Sequence, residues 1–152
     1  MTAFVDLIQN PTILCAFFAW FLAQFYKVLM AVFRDRRFDF RVFVRLGGMP
    51  SSHSSMVCAL ATSVGLRTGF GSPAFAVAMG FAVVVMFDAQ SVRRAAGHQA
   101  RVLNQMRDEL FKEHHLSQKR LVEFLGHTPL EVLFGMLLGI FTGWAFHTHW
   151  HP

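Results

Sequence analysis

From Pro11 to about Phe33 the chain is an almost unbroken apolar run, with Phe17, Phe18, Trp20, Phe21, Leu22 and Phe25 at its centre. About 20 such residues in a helix cross the hydrocarbon core of a bilayer, so this stretch commits the chain to a membrane. Three further apolar runs follow: from His53 through Met56, Val57, Leu60 and Val64, from Pro73 to Phe87, and from Leu130 to about Phe146. Backbone in lipid has to satisfy its own hydrogen bonds, which such runs do as helices. The expected fold is all-α: an integral membrane helical bundle of about four transmembrane helices plus an interfacial amphipathic helix, with residues 1–152 forming one domain. A soluble domain is excluded by a composition that is 54% hydrophobic and only 15% charged.

The connections carry the charge. Residues 34–45 alternate Arg and Asp with Phe, as an interfacial segment does when it dips aromatic rings among headgroups. Arg67 to Pro73 is a Gly-rich break, after which Ser72 is the expected N-cap and Pro73 the first-turn residue of the third apolar helix. That helix is expected to end where it meets Asp88, Arg93 and Arg94. Residues 98–125 place Val102, Leu103, Met106, Leu110 and Phe111 at helical spacing in a polar sequence, which predicts a separate amphipathic segment. Gly135, Gly139 and Gly143 share one face of the last helix and permit close helix contact there. If all four helices cross, thirteen of the fourteen Lys and Arg residues fall on one side, with Arg67 opposite. The positive-inside rule then assigns that side, and every polar cluster at the helix ends, to the cytoplasm of a multi-pass cell-membrane protein. The net charge of +5 flanks apolar runs, so anionic headgroups are the expected partners and nucleic acid is not. Cys15 and Cys58 lie inside apolar runs with no metal or disulfide spacing, and read as packing residues. With neither a basic n-region nor a cleavage site, the N-terminal segment is expected to stay attached as a membrane helix.

Two short stretches carry chemistry. Residues 47–55 read Gly-Gly-Met-Pro-Ser-Ser-His-Ser-Ser, a turn opening a helix, where Ser can cap and the first-turn N–H groups attract anions, phosphate above all. In the second stretch, His127 and Glu131 are four apart, so at a helix start they share a face, and a carboxylate beside an imidazole fixes its tautomer. A purely structural role is the alternative, with His127 capping the helix and Glu131 favouring its positive end. Asp88 pairs with the neighbouring arginines or, as an intramembrane acid, serves a metal or proton relay. His114, His115, His147, His149 and His151 lie in exposed-looking segments and are expected to bind metal only adventitiously. Phosphoryl transfer needs an in-line nucleophile, a proton donor for the leaving oxygen and cations around the equatorial oxygens. Two His residues, one neutral and one protonated, with surplus Lys and Arg supply these without a metal or cofactor.

These residues resemble the motifs of the type 2 phosphatidic acid phosphatase and vanadium haloperoxidase superfamily, specifically its short divergent branch of membrane proteins. That family's first motif is Lys, six residues, Arg, Pro; Lys27 and Arg34 keep the spacing and Asp35 stands for Pro. Its Pro-Ser-Gly-His motif is matched by Pro50, Ser51, Ser52 and His53, with Ser for Gly. Its third motif is Ser-Arg, five residues, His, three residues, Asp. His127 and Glu131 keep the second half, with Glu for Asp, whereas Leu121 occupies the Arg position and Arg120 is one residue away. Arg93 and Arg94, in a stretch running from Asp88 to Gly97, resemble the divergent branch's own hallmark and are candidates to replace that Arg.

The resemblance implies a membrane phosphatase acting on a phospholipid or isoprenoid phosphate through a phosphohistidine. In it His127 is the nucleophile, Glu131 its orienting partner and His53 the general acid. Lys27, Arg34, Ser51, Ser52 and Arg93 or Arg94 form the phosphate cradle. The alternative is a lipid-phosphate carrier that keeps the anion pocket without turnover; a vanadate-dependent oxidase is more distant. Four short spans also raise the expectation of a homo-oligomer that completes the site.

Overall fold

The computed structural model describes residues 2–35, 48–110 and 127–149, and among them the secondary structure is entirely helical. A short α1 (Thr2–Ile8) leads into α2 (Pro11–Asp35), followed by α3 (Ser52–Thr68) and α4 (Pro73–Phe87). A π-helical turn (Asp88–Val92) joins α4 directly to α5 (Arg93–Leu110), and α6 (Pro129–His149) closes the bundle. Three starts use one device, a polar cap followed by proline. Asn10 Oδ1 accepts from the N–H groups of Thr12 and Ile13 before Pro11. Ser72 Oγ accepts from Phe75 N–H before Pro73, as predicted. Thr128 Oγ1 accepts from Glu131 N–H before Pro129. Proline at the first helical position gives up an N–H that has no partner there anyway.

The centre of the bundle is α3, which packs against α2, α4 and α6. It runs antiparallel to α2, since Ser52 meets Lys27, Ser55 Oγ donates to the Ala19 carbonyl and Ser63 Oγ donates to Thr12 Oγ1. It runs parallel to α6, whose three glycines climb along it. A Cβ on Gly135 would collide with the Ser51 carbonyl oxygen, one on Gly139 with the Ser55 carbonyl oxygen, and one on Gly143 would sit 2.7 Å from Thr62 Cβ. The buried core is correspondingly made of small side chains: Cys15, Ala19 and Ala59 between α2 and α3, and Val57, Cys58 and Ala61 with Ala78 and Ala82 between α3 and α4. The large apolar residues, among them Phe17, Phe21, Phe25, Phe81 and Phe141, point outward. Such an inverted arrangement suits lipid, where close backbone approach holds helices together and hydrophobic burial supplies little.

Among the described residues, three helical stretches are long and apolar enough to cross a bilayer: Pro11–Phe33, Pro73–Arg107 and Pro129–His149. The 17-residue α3 is too short to be among them, and as a helix wrapped by its neighbours it carries Ser, Ala and Cys where a lipid-facing one carries Leu and Phe. One boundary differs from the sequence reading. The third apolar helix does not stop at Asp88; the π turn carries it into the amphipathic segment as one rod. At 1.5 Å per residue, its 35 residues from Pro73 to Arg107 extend about 50 Å, well past a hydrocarbon core of about 30 Å, so its second half can be polar.

Candidate active site

The starts of α3 and α6, the π turn after α4 and the Lys27 turn of α2 converge, tied together by backbone and side-chain hydrogen bonds. Ser51 N–H donates to the Glu131 carbonyl over 2.9 Å, joining the start of α3 to the start of α6. His127 N–H donates to the Ala89 carbonyl over 3.0 Å, joining α6 to the π turn after α4. Lys27 Nζ donates to Ser52 Oγ over 3.3 Å, adding α2.

His127 is 4% exposed, and its Nδ1 lies 2.9 Å from Glu131 Oε2. A carboxylate accepts, so Nδ1 carries a proton, and in the neutral ring the lone pair is then on Nε2. Glu131 Oε2 also accepts from Thr128 N–H at 3.1 Å, while Glu131 N–H donates to Thr128 Oγ1 at 3.3 Å. This reciprocal pair is a capping box. The two readings open in the sequence therefore meet in one carboxylate: Glu131 finishes the helix and orients the imidazole. The cap is Thr128, not His127. Its signal in the sequence is Thr128-Pro129-Leu130-Glu131, a Thr followed three residues later by Glu ahead of an apolar run.

His53, in the first turn of α3, places its ring 6.0 Å from that of His127, centroid to centroid, with the planes at 62°. Ser51 is fully buried and is the N-cap of α3, its Oγ accepting from Ser54 N–H at 3.4 Å and from Ser54 Oγ at 3.0 Å. Ser52 and Lys27 are also buried and meet each other. Asp88 opens the π turn, and its N–H is shared between the Val84 and Val85 carbonyls. The wider turn changes which carbonyls are satisfied within the helix, and the Ala89 carbonyl takes the His127 N–H. Nothing in residue type marks Ala89 for this role, so the sequence could not disclose it. Arg34 belongs to the last turn of α2, and Arg93 and Arg94 begin α5; the side chains of all three lie outside the described residues. So do Arg120, Leu121, His114, His115 and His151. His147 and His149 stand at the far end of α6, away from the site, with His149 Nδ1 3.0 Å from the Ala145 carbonyl.

The bundle thus gathers Lys27, Ser51, Ser52, His53, His127 and Glu131 at one corner of a membrane domain. The sequence profile of the divergent PAP2 family matches residues 8–142. The chain belongs to the divergent PAP2 family. It is 42% identical over 147 residues to the uncharacterized membrane protein YuiD of Bacillus subtilis (strain 168), with 90% of this chain and 93% of that protein covered. No solved structure matches. Family and fold together make the protein an all-helical membrane protein in which the start of α3, with His53, and the start of α6, with His127 and Glu131, lie side by side.

Proposed function

We propose that this divergent PAP2 protein is a lipid-phosphate phosphatase working through a phosphohistidine. The supporting observation is the His127–Glu131 contact of 2.9 Å facing a second imidazole 6.0 Å away. Family membership, which relates the chain to phosphatases, supports the same reading. In the proposed reaction His127 Nε2 attacks phosphorus, the bond from phosphorus to the lipid oxygen breaks, and protonated His53 gives its proton to that leaving oxygen. Water then attacks the phosphohistidine, His53 takes up the water proton, and phosphate leaves as His127 is regenerated. Glu131 stabilises the charge that builds on the imidazole as its lone pair is used. Lys27, Ser52 and the first-turn N–H groups of α3 are the cradle for the equatorial oxygens, completed by Arg34 and by Arg93 or Arg94. Asp88 holds the arginine-bearing segment. The substrate is taken to be a phospholipid or isoprenoid phosphate in the cytoplasmic leaflet, since with all four apolar runs crossing the sequence would put thirteen of its fourteen basic residues on the site's side.

A second reading, a carrier that binds lipid phosphate without turnover, is favoured by the departures from the phosphatase motifs, with Asp35, Ser52, Leu121 and Glu131 standing where those motifs have Pro, Gly, Arg and Asp. Phosphate release by purified protein from a panel of lipid phosphates, with His127→Ala as control, separates the two. Release by the wild type and none by the variant supports the phosphatase. Binding by both with release by neither supports the carrier.

A further inference from the structure

A groove of about 340 Å³ runs between α4 and α6. Val83 and Met86 line one wall and Leu133 and Met136 the other, while Gln90 and Pro129 stand at its upper end. That end adjoins the site: Gln90 follows Ala89, whose carbonyl holds the His127 N–H, and Pro129 is two residues beyond His127. From Gln90 back to Val83, and from Pro129 on to Met136, each wall runs seven residues, about 10 Å of helix. Both walls belong to helices long and apolar enough to cross a bilayer, in which the groove would run from the level of the site toward the hydrocarbon. Val83, Phe87 and Leu133 are partly exposed along it, so it opens sideways to lipid. Its volume falls in the range of small-ligand pockets, and its lining is apolar except for one carboxamide.

We infer that this groove seats the proximal hydrocarbon chain of the lipid phosphate, with Gln90 beside the atoms that join chain to phosphate. The inference rests on the anion site proposed above and adds which face of the bundle the lipid uses. A lipid phosphate requires a polar corner with an apolar trough beside it, and the Gln90–Pro129 end of this groove adjoins the site through the Ala89–His127 backbone hydrogen bond. A Gln carboxamide both donates and accepts, as an ester or bridging oxygen and a terminal hydroxyl would demand.

The test is photocrosslinking of the full-length protein in nanodiscs by an alkyl phosphate carrying a diazirine near its head, with the corresponding alkyl alcohol as a second probe. Labelled residues are located by mass spectrometry. The expected result is phosphate-dependent labelling of Val83, Leu133 or Met136. It should be lowered on the order of tenfold in Leu133→Trp and Val83→Trp, whose bulk fills the trough from its open side. Equal labelling by the alcohol, labelling concentrated on α2, or no effect of either Trp variant would overturn the inference. Labelling needs binding and no turnover. A labelled groove without phosphate release therefore contradicts only the phosphatase reading, and phosphate release with labelling elsewhere contradicts only the groove.

Discussion

The Glu131 carboxylate accepts two hydrogen bonds with separable consequences. Glutamine can still accept from Thr128 N–H and complete the capping box, but it brings no negative charge to the His127 imidazole. Glu131→Gln should therefore unfold at nearly the wild-type temperature while kcat falls about 10²–10⁴-fold, the range of general acid–base effects. Glu131→Ala should lose the same activity and, in addition, about 1 kcal/mol of stability with the cap. Thermal unfolding in detergent beside phosphate release checks both, and equal stability losses in the two variants would contradict the double role. The pH profile of kcat/KM should be bell-shaped, its acid limb reporting protonation of the nucleophile and its alkaline limb deprotonation of the acid. His53→Gln should flatten the alkaline limb, and chelator should change nothing. Much at this scale was legible: His53, His127 and Glu131 announce themselves by residue type and spacing. What holds them was not, because the Ala89 carbonyl and the Ser51 N–H are backbone groups carried by any residue.

Among the elements, the glycine stripe of α6 makes the sharpest contrast. Gly139 faces the Ser55 carbonyl oxygen with no room for a methyl, whereas a methyl on Gly80 of α4 meets nothing within 4 Å. Gly139→Ala should cost about 1–3 kcal/mol as α6 is pushed from α3, the usual penalty of overpacking. Gly80→Ala should be neutral or gain up to about 1 kcal/mol, since only the backbone freedom of glycine is lost. Comparison of unfolding midpoints decides it. Apolar runs made the bilayer-crossing helices readable to within a few residues, and the spacing of Gly135, Gly139 and Gly143 correctly announced a close contact. Two elements escaped. The short α1 has no apolar period long enough to register, and the π turn looks in sequence like the end of a helix because Asp88 interrupts an apolar run there.

For the whole molecule, the parallel pairing of α3 with α6 and the antiparallel pairing with α2 put the described ends of α2 and α6 that lie farthest from the site, near Thr12 and Thr148, on one level. The charge bias predicts that this level is external and the site cytoplasmic. In a background lacking Cys15 and Cys58, a cysteine at Gln105 on the exposed flank of α5 should react with an impermeant maleimide only after cells are opened, and one at Thr148 should react before. The reverse pattern would invert the protein and hand it an outer-leaflet substrate. Whichever leaflet is used, the proposed chemistry depends on a covalent bond to His127 Nε2. The direct measurement is to mix the protein with a lipid phosphate labelled at phosphorus, quench in alkali within one turnover and locate the label by mass spectrometry. An alkali-stable, acid-labile phosphoryl group on His127, absent from His127→Ala and prolonged in His53→Gln, is the predicted result. Phosphate release from the wild type with no label on His127, or full release by His127→Ala, would contradict it.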